Sequence, residues 1–484
     1  MRFFAVMLAA LAVLCLPLPA VAKPAATQYL AFQIFTGGFD SEEMRQSIPP
    51  PPEDLLETVE DIRDRVRVLP GPVSRQLGFI PGPLSFDNTD EQVTALISES
   101  FDIALKTDMA VGFHIDDSMF WGRLKELNLP GSIEWLDWSG APATGRRLDW
   151  SSTPTKIMPQ LCLNNKVVTD AVKKRAALIG RDVADGIRKL RAAGKDALFI
   201  GVIAGWETQI GRDFKSGKEI GYCALTNKGF SAQKPPADFE AARADIVREF
   251  IDLWARSLMK AGVPAGKIYS HAAFMSEPLY RLAQRMQPGK LPGSYLETIN
   301  ATPPAIAFGP SHAPGFSTYP QPGHLGQIAA ELKKHGNPGW ASSEGTAIDP
   351  GDAEKGKPGK NMEGYLGNLF NHGARLVNIF GWGVGNRDNP FRKVAEDEAS
   401  IDAYRKFLRG ETLKETPLPA PEVPSEAWLA KMERIQRDLP PYIARNGVSQ
   451  VRPLMEKIHA QTEALLFIQA ETTADEILKL VGAP

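Results

Sequence analysis

Cysteine, histidine and net charge are all scarce in this chain. Of 484 residues, three are cysteines and seven are histidines, and 55 Lys and Arg nearly balance 57 Asp and Glu, for a formal charge of −2. That balance excludes the basic footprint of a nucleic-acid partner and a cationic surface for anionic lipid. So few Cys and His exclude a structural zinc module. No Gly-x-Ser-x-Gly elbow of an α/β serine hydrolase is present, and no complete Gly-x-x-x-x-Gly-Lys-Ser/Thr phosphate loop. The first apolar run, "YLAFQIF" (29–35), is followed by no Gly-x-Gly-x-x-Gly turn, which argues against a dinucleotide fold. It also carries no His-x-His of a metal-dependent barrel hydrolase. Nothing calls for a metal, haem or other cofactor.

Long hydrophobic runs are confined to the N-terminus. "MRFFAVMLAALAVLCLPLPAVA" joins Arg2, an apolar stretch to Leu16 and the small-x-small Ala20-Val21-Ala22. It is too short to span a membrane and reads as a cleaved signal peptide over 1–22. The mature chain is therefore expected in the periplasm or secreted, with no stable membrane insertion. Cleavage leaves Cys162 and Cys223, and an oxidising compartment permits a disulfide between them.

What is abundant is alternation. Apolar runs at 29–35, 77–80, 109–115, 197–206, 267–274, 294–299, 339–344 and 375–383 alternate with helical patterns near 54–68, 90–106, 170–193, 238–262, 276–287, 323–335, 361–373 and 398–409. In the clearest helix, Asp238 can cap and Ile246, Phe250, Leu253 and Leu258 repeat at helical spacing. Eight strand–helix units predict a (β/α)8 TIM barrel over 23–414. An open doubly wound sheet is the alternative. A proline-rich linker (415–424) then leads to a helical extension over 425–484, expected to pack on the barrel.

Chemistry gathers where the strands end. The third run closes on His114, Asp116 and Asp117, with Phe120 and Trp121 behind. The fourth closes on Trp206 and Glu207, and the fifth carries His271. The seventh closes on Glu344, and the eighth holds Asn378 and Trp382. Active sites of such barrels lie at the C-terminal ends of the strands. Two long loops, 116–169 and 207–237, rise there too; the first carries Trp135, Trp138 and Trp150, candidate outer sugar platforms. "GPSHAPGFSTYPQPGH" (309–324) reads as a loop after strand six, from which His312 and Tyr319 could reach the site.

Glycosidic hydrolysis needs two carboxyl groups across the bond, and sugar faces suit aromatic platforms. Glu207 and Glu344, with Trp206, Trp382 and Trp121, supply those parts. The arrangement resembles the (β/α)8 retaining glycoside hydrolases of the clan A type. The resemblance implies Glu207 as acid/base, Glu344 as nucleophile and Trp382 beneath the sugar. It departs at Trp206, where that group has asparagine. The remaining substrate-binding candidates are Trp206, Asp116, Asp117, His114, Trp121, His271, Asn378, Tyr319 and His312. The partner expected is an oligo- or polysaccharide. The alternatives are a non-catalytic periplasmic carbohydrate-binding barrel and an inverting barrel glycosidase. Composition leaves oligomeric state open.

Overall fold

The computed structural model describes residues 26–35, 52–69, 71–72, 74–117, 119–148, 155–273, 303–320, 324–348, 361–382, 390–417, 422, 424–463 and 466–482. The signal stretch, the expected strand at 294–299, the expected helix at 276–287 and Trp150 lie outside them.

Eight parallel strands form one ring: β1 (Gln28–Phe35), β2 (Arg75–Gly82), β3 (Ala110–Ile115), β4 (Phe199–Ala204), β5 (Ile268–Ser270), β6 (Gly315–Ser317), β7 (Trp340–Gly345) and β8 (Ala374–Ile379). Each pairs with its neighbour in chain order, and β1 pairs with β8. The ring closes between β5 and β6, where Ala272 N donates to Gly315 O at 2.9 Å and Ser317 N to Ala272 O at 3.0 Å. A Cβ at Gly315 would run into the Ser270 carbonyl, so the close approach requires glycine there. The predicted barrel is therefore the fold.

The strands read as apolar runs because a parallel strand is covered on both faces. All six residues of β3 and all six of β4 are buried. β6 is the exception, and it corrects the sequence reading. It lies inside the stretch expected to be a loop. With one apolar side chain, Phe316, and Pro314 just before it, β6 carries no periodic signal. Pairing with β5 and β7 makes it a strand.

Around the ring run α1 (Pro52–Val66), α2 (Asp90–Thr107), α3 (Lys166–Ala192), α4 (Phe239–Lys260), α5 (His324–Lys334), α6 (Met362–Phe370) and α7 (Glu398–Leu408). Their starts are local chemistry. Thr89 and Gln92 form a capping box on α2, Asn165 caps α3, and Asp238 accepts from two amides of α4. Each such cap contributes about 1 kcal/mol. α4 buries Ile246, Phe250, Trp254 and Leu258, so Trp254 rather than Leu253 faces the barrel.

The loops after β3 and β4 are tied to each other. Cys162 and Cys223 form a disulfide with Cα atoms 5.8 Å apart. Glu134 accepts from Cys223 N at 3.1 Å, and Thr144 N and Oγ1 both donate to Asp213. Closing the 61-residue separation lowers denatured-chain entropy, worth about 4 kcal/mol in the chain-entropy account. Three C-terminal helices, α8 (Glu426–Asn446), α9 (Arg452–Glu463) and α10 (Phe467–Leu480), do not lend their apolar faces to the barrel as expected. They bury Trp428, Ile435, Leu439, Phe467 and Ile477 in an apolar cluster of their own. No described helix is long and apolar enough to cross a membrane.

Candidate active site

β4 ends at Ala204, and the backbone then leaves strand geometry. Gly205 has φ 93° and Glu207 has φ 52°. The other described non-glycine residues with positive φ are Asp108 and Asn337, types that tolerate the left-handed region. A glutamate there stores roughly 1–3 kcal/mol and needs surrounding structure to hold it. Asp117 does so: its carboxyl takes the Thr208 hydroxyl, and the Trp206 amide at 3.5 Å. A Cβ at Gly205 would collide with Thr208 and Asp117. This kink breaks strand alternation, so Trp206 and Glu207, adjacent in sequence, both serve the barrel interior.

Glu207 is partly exposed, and its Oε1 lies 2.7 Å from Ser317 Oγ at the end of β6. Glu344, in β7, is only 5% exposed and accepts from the Tyr319 hydroxyl at 2.6 Å through Oε1. Its Oε2 is buried without a hydrogen-bond partner. Burial first, and the charge of Glu207 second, push Glu344 up to about 8. The two carboxyls thus act on each other, and close carboxyls share one proton rather than ionise together. The Trp206 indole N–H lies near enough to Glu344 to favour its charge, yet short of a hydrogen bond. Burial and Glu344 together raise the Tyr319 phenol well above its ordinary range.

Beneath the carboxyls a polar chain crosses the barrel. Asn378 Nδ2 donates to Gln33 Oε1 at 2.8 Å, and Gln33 Oε1 lies 2.9 Å from His114 Nδ1. His114 Nε2 meets His271 Nδ1 at 3.0 Å, and His271 Nε2 meets Ser317 Oγ at 2.9 Å. β1, β3, β6 and β8 contribute to this run, with His271 just past the end of β5. His114 stacks flat on Trp206, ring centroids 3.8 Å apart. Burial drives both imidazoles to the neutral form, His114 well below its ordinary value and His271 down to about 3.

Several expected contacts fall elsewhere. Trp382 is fully buried outside the ring, edge-on to Phe32 at 5.0 Å with its indole donating to Asp61 of α1, so it is no platform for a sugar. Trp121 belongs to the main core, while Phe120 joins Phe35, Met119, Trp206 and Phe380 in the apolar cluster around the site. Trp206 itself is 1% exposed and forms floor rather than wall. Asp116 accepts from the amides of Met119 and Phe120, which shapes its own loop. Burial raises Asp116 to about 7 and Asp117 to about 6. His312 precedes β6 and so stands at the opposite end of the barrel, near Asp252 of α4. Asn378 and His271 are buried in the polar chain rather than offered to a substrate. Trp135 donates to Pro130 O, and Trp138 packs edge-on to Tyr222; both pin the long loop.

Gln33 and Ser317 were not foreseen. Gln33 had a readable signal: it is the lone amide inside the apolar run 29–35, and buried polar groups are hydrogen-bonded. Ser317 had none, because its strand was not recognised. Among the described residues, no group of three or more His, Cys, Asp or Glu could hold a metal ion.

No family model matches the chain. No curated protein matches its sequence either. Among solved structures it is similar to the catalytic domain of β-amylase from Paenibacillus polymyxa: 7% identity, 80% of this chain and 100% of that one, TM-score 0.46. It is also similar to the catalytic domain of a Bacillus endo-β-1,4-mannanase: 12% identity, 79% and 85% coverage, TM-score 0.38. A third is the α-amylase from Geobacillus thermoleovorans, complexed with acarbose: 10% identity, 79% and 78% coverage, TM-score 0.37. Likeness at this level carries no conclusion about activity.

Proposed function

We propose that the protein is a glycoside hydrolase in which Glu207 is the acid/base and Glu344 the nucleophile. One observation carries this reading. Two mutually perturbing carboxyls stand at the C-terminal ends of β4 and β7, each with one oxygen held by a hydroxyl. Glu344 Oε2 and Trp206 Nε1 are left buried and unpartnered beside each other, a costly arrangement that a bound group would relieve. Glu344 attacks the anomeric carbon while Glu207 protonates the leaving oxygen. Glu207 then takes a proton from the water that releases the sugar. The cluster of Phe35, Phe120, Trp206 and Phe380 gives the site the apolar floor that suits a sugar ring. We also propose that the enzyme acts outside the cytoplasm, a reading the Cys162–Cys223 disulfide supports.

A hydrolysis screen over a broad polysaccharide and aryl-glycoside panel tests the assignment. Activity should appear on one glycan class, collapse in Glu207→Gln and in Glu344→Gln, and release first the anomer that retains configuration. Release of the inverted anomer would make Glu344 a base rather than a nucleophile. Sugar binding without hydrolysis in the wild type would sink the catalytic reading in favour of a binding protein.

A further inference from the structure

We propose that Gln33, His114, His271 and Ser317 form a hydrogen-bond chain of fixed direction that keeps the proton of the carboxyl pair on Glu207. These four are then positioning residues for the acid; the inference rests on the reading of Glu207 as acid/base and deepens it.

The direction starts at two backbone carbonyls. Ile80 O can only accept, so the Gln33 atom 3.1 Å from it is the amide nitrogen. Ser343 O can only accept, so the Asn378 atom 2.8 Å from it is nitrogen too, and a second N–H of that group points at Gln33 Oε1. Both amides are thereby oriented, and Gln33 Oε1 faces His114 as an acceptor. His114 Nδ1 must carry hydrogen. A neutral imidazole has a single N–H, so His114 Nε2 is bare and His271 Nδ1 supplies the proton between them. His271 Nε2 is then bare and takes the Ser317 hydroxyl hydrogen. With its hydrogen on His271, Ser317 Oγ offers only lone pairs to Glu207 Oε1 at 2.7 Å, so in this scheme the protonated carboxyl donates, the reverse of the bond that an ionised Glu207 would accept from the hydroxyl.

Both rings are fully buried and stay neutral in this scheme. Across the site the Tyr319 hydroxyl donates to Glu344, which opposes the upward push that burial and the Glu207 charge exert on that carboxyl. Glu344 and Tyr319 both face Glu207 electrostatically, from β7 and from the segment after β6.

The scheme also moves with the reaction. When Glu207 gives its proton to the leaving oxygen, the electrons of the breaking C–O bond depart with that oxygen. The Ser317 hydroxyl hydrogen swings from His271 to the new carboxylate. The attacking water later returns a proton to Glu207, and the hydroxyl swings back.

The tautomers test the chain without any substrate. The whole protein, carrying ¹⁵N-histidine, is read by long-range ¹H–¹⁵N NMR across roughly pH 5 to 8, the range in which an ordinary histidine titrates. Signals are assigned by their loss in His114→Gln and His271→Gln. Both rings should be neutral with hydrogen on Nδ1. A ring protonated on Nε2 alone, or an imidazolium, overturns the proposal. Ser317→Ala gives a second arm on the glycan found active. Its alkaline pH limb should fall by about one pH unit, the worth of one hydrogen bond, and Ser317→Thr should restore it. A loss of kcat with the limb unmoved would count against the chain. If the protein hydrolyses nothing, the glycosidase reading fails while the tautomer result still stands or falls by itself.

Discussion

The two ends of the barrel interior bury ionisable groups in opposite ways. At the N-terminal end Lys267 Nζ donates to Tyr29 Oη at 2.8 Å and Phe199 O at 2.7 Å, and the Tyr29 hydroxyl donates onward to Ala197 O at 3.0 Å. The ammonium also lies 4.5 Å from the centre of the Tyr29 ring. Every step ends on the protein's own backbone. At the C-terminal end the chain from Gln33 to Ser317 ends on Glu207, and Glu344 Oε2 and Trp206 Nε1 have no partner. A buried polar atom left unpaired costs about 1–3 kcal/mol. One end satisfies its polar groups on the protein's own backbone, and the other leaves two buried polar atoms without a partner.

The comparison breaks most sharply at the carboxyls. Glu344→Gln should abolish hydrolysis by more than the roughly 10²–10⁴-fold typical of losing a general acid, which is the effect expected of Glu207→Gln. Glu344→Gln should also stabilise the fold. The pair keeps a proton up to about pH 8, whereas an unfolded glutamate has lost its own above about 4.5. The folded state therefore binds more protons between those values, and wild-type stability falls as pH rises through them. Thermal melts at several pH values should show the variant's advantage growing from about pH 4.5 to 8.

Tyr319→Phe removes one charge-assisted donor from Glu344. Rates should drop about 10–100-fold, from a bond worth about 1.5–3 kcal/mol, with the fold intact by circular dichroism. The opposite end answers with the opposite signature. Burial lowers Lys267 from 10.5 to about 8, so the folded state binds fewer protons in that window. Wild-type stability relative to Lys267→Met should rise with pH from about 8 to 10.5, with kcat unchanged. Trp382→Phe should likewise spare turnover. It should cost about 1–3 kcal/mol in denaturant unfolding and leave kcat/KM within about twofold, because the side chain packs outside the ring. A large loss of activity there would restore the sugar-platform role.

Much of the fold was legible because its signals are local. The runs that become β1, β3, β4 and β8 are mostly apolar for a reason each strand states by itself, burial on both faces. The caps at Thr89, Asn165 and Asp238 are equally local. Glu207 and Glu344 stood out as charges that close such runs. Trp382 shows where the reading ended. It follows β8 where the resemblance expects it, but the backbone turns it outward toward α1, while Asn378 takes the inward position. Residues four apart on one strand would share a face, but Trp382 lies past the end of β8 and after Gly381 at φ 117°, so the turn rather than strand alternation aims it. The C-terminal helices were legible as helices, but not as owners of a separate apolar cluster.

Sequence alone determined that strand–helix units follow one another along the chain and that carboxylates close the runs of β4 and β7. Propensity, capping and burial patterns act within a few residues and need no partner from elsewhere. Tertiary structure decided which side chains complete the site. Gln33 and His114 are 81 residues apart, His114 and His271 157, and Ser317 and Glu207 110. β6 exists because β5 and β7 offer it hydrogen bonds, and Ser317 reaches Glu207 only once the ring has closed. Hydrogen bonds between distant strands have no period along a chain, so only the closed barrel could bring them together.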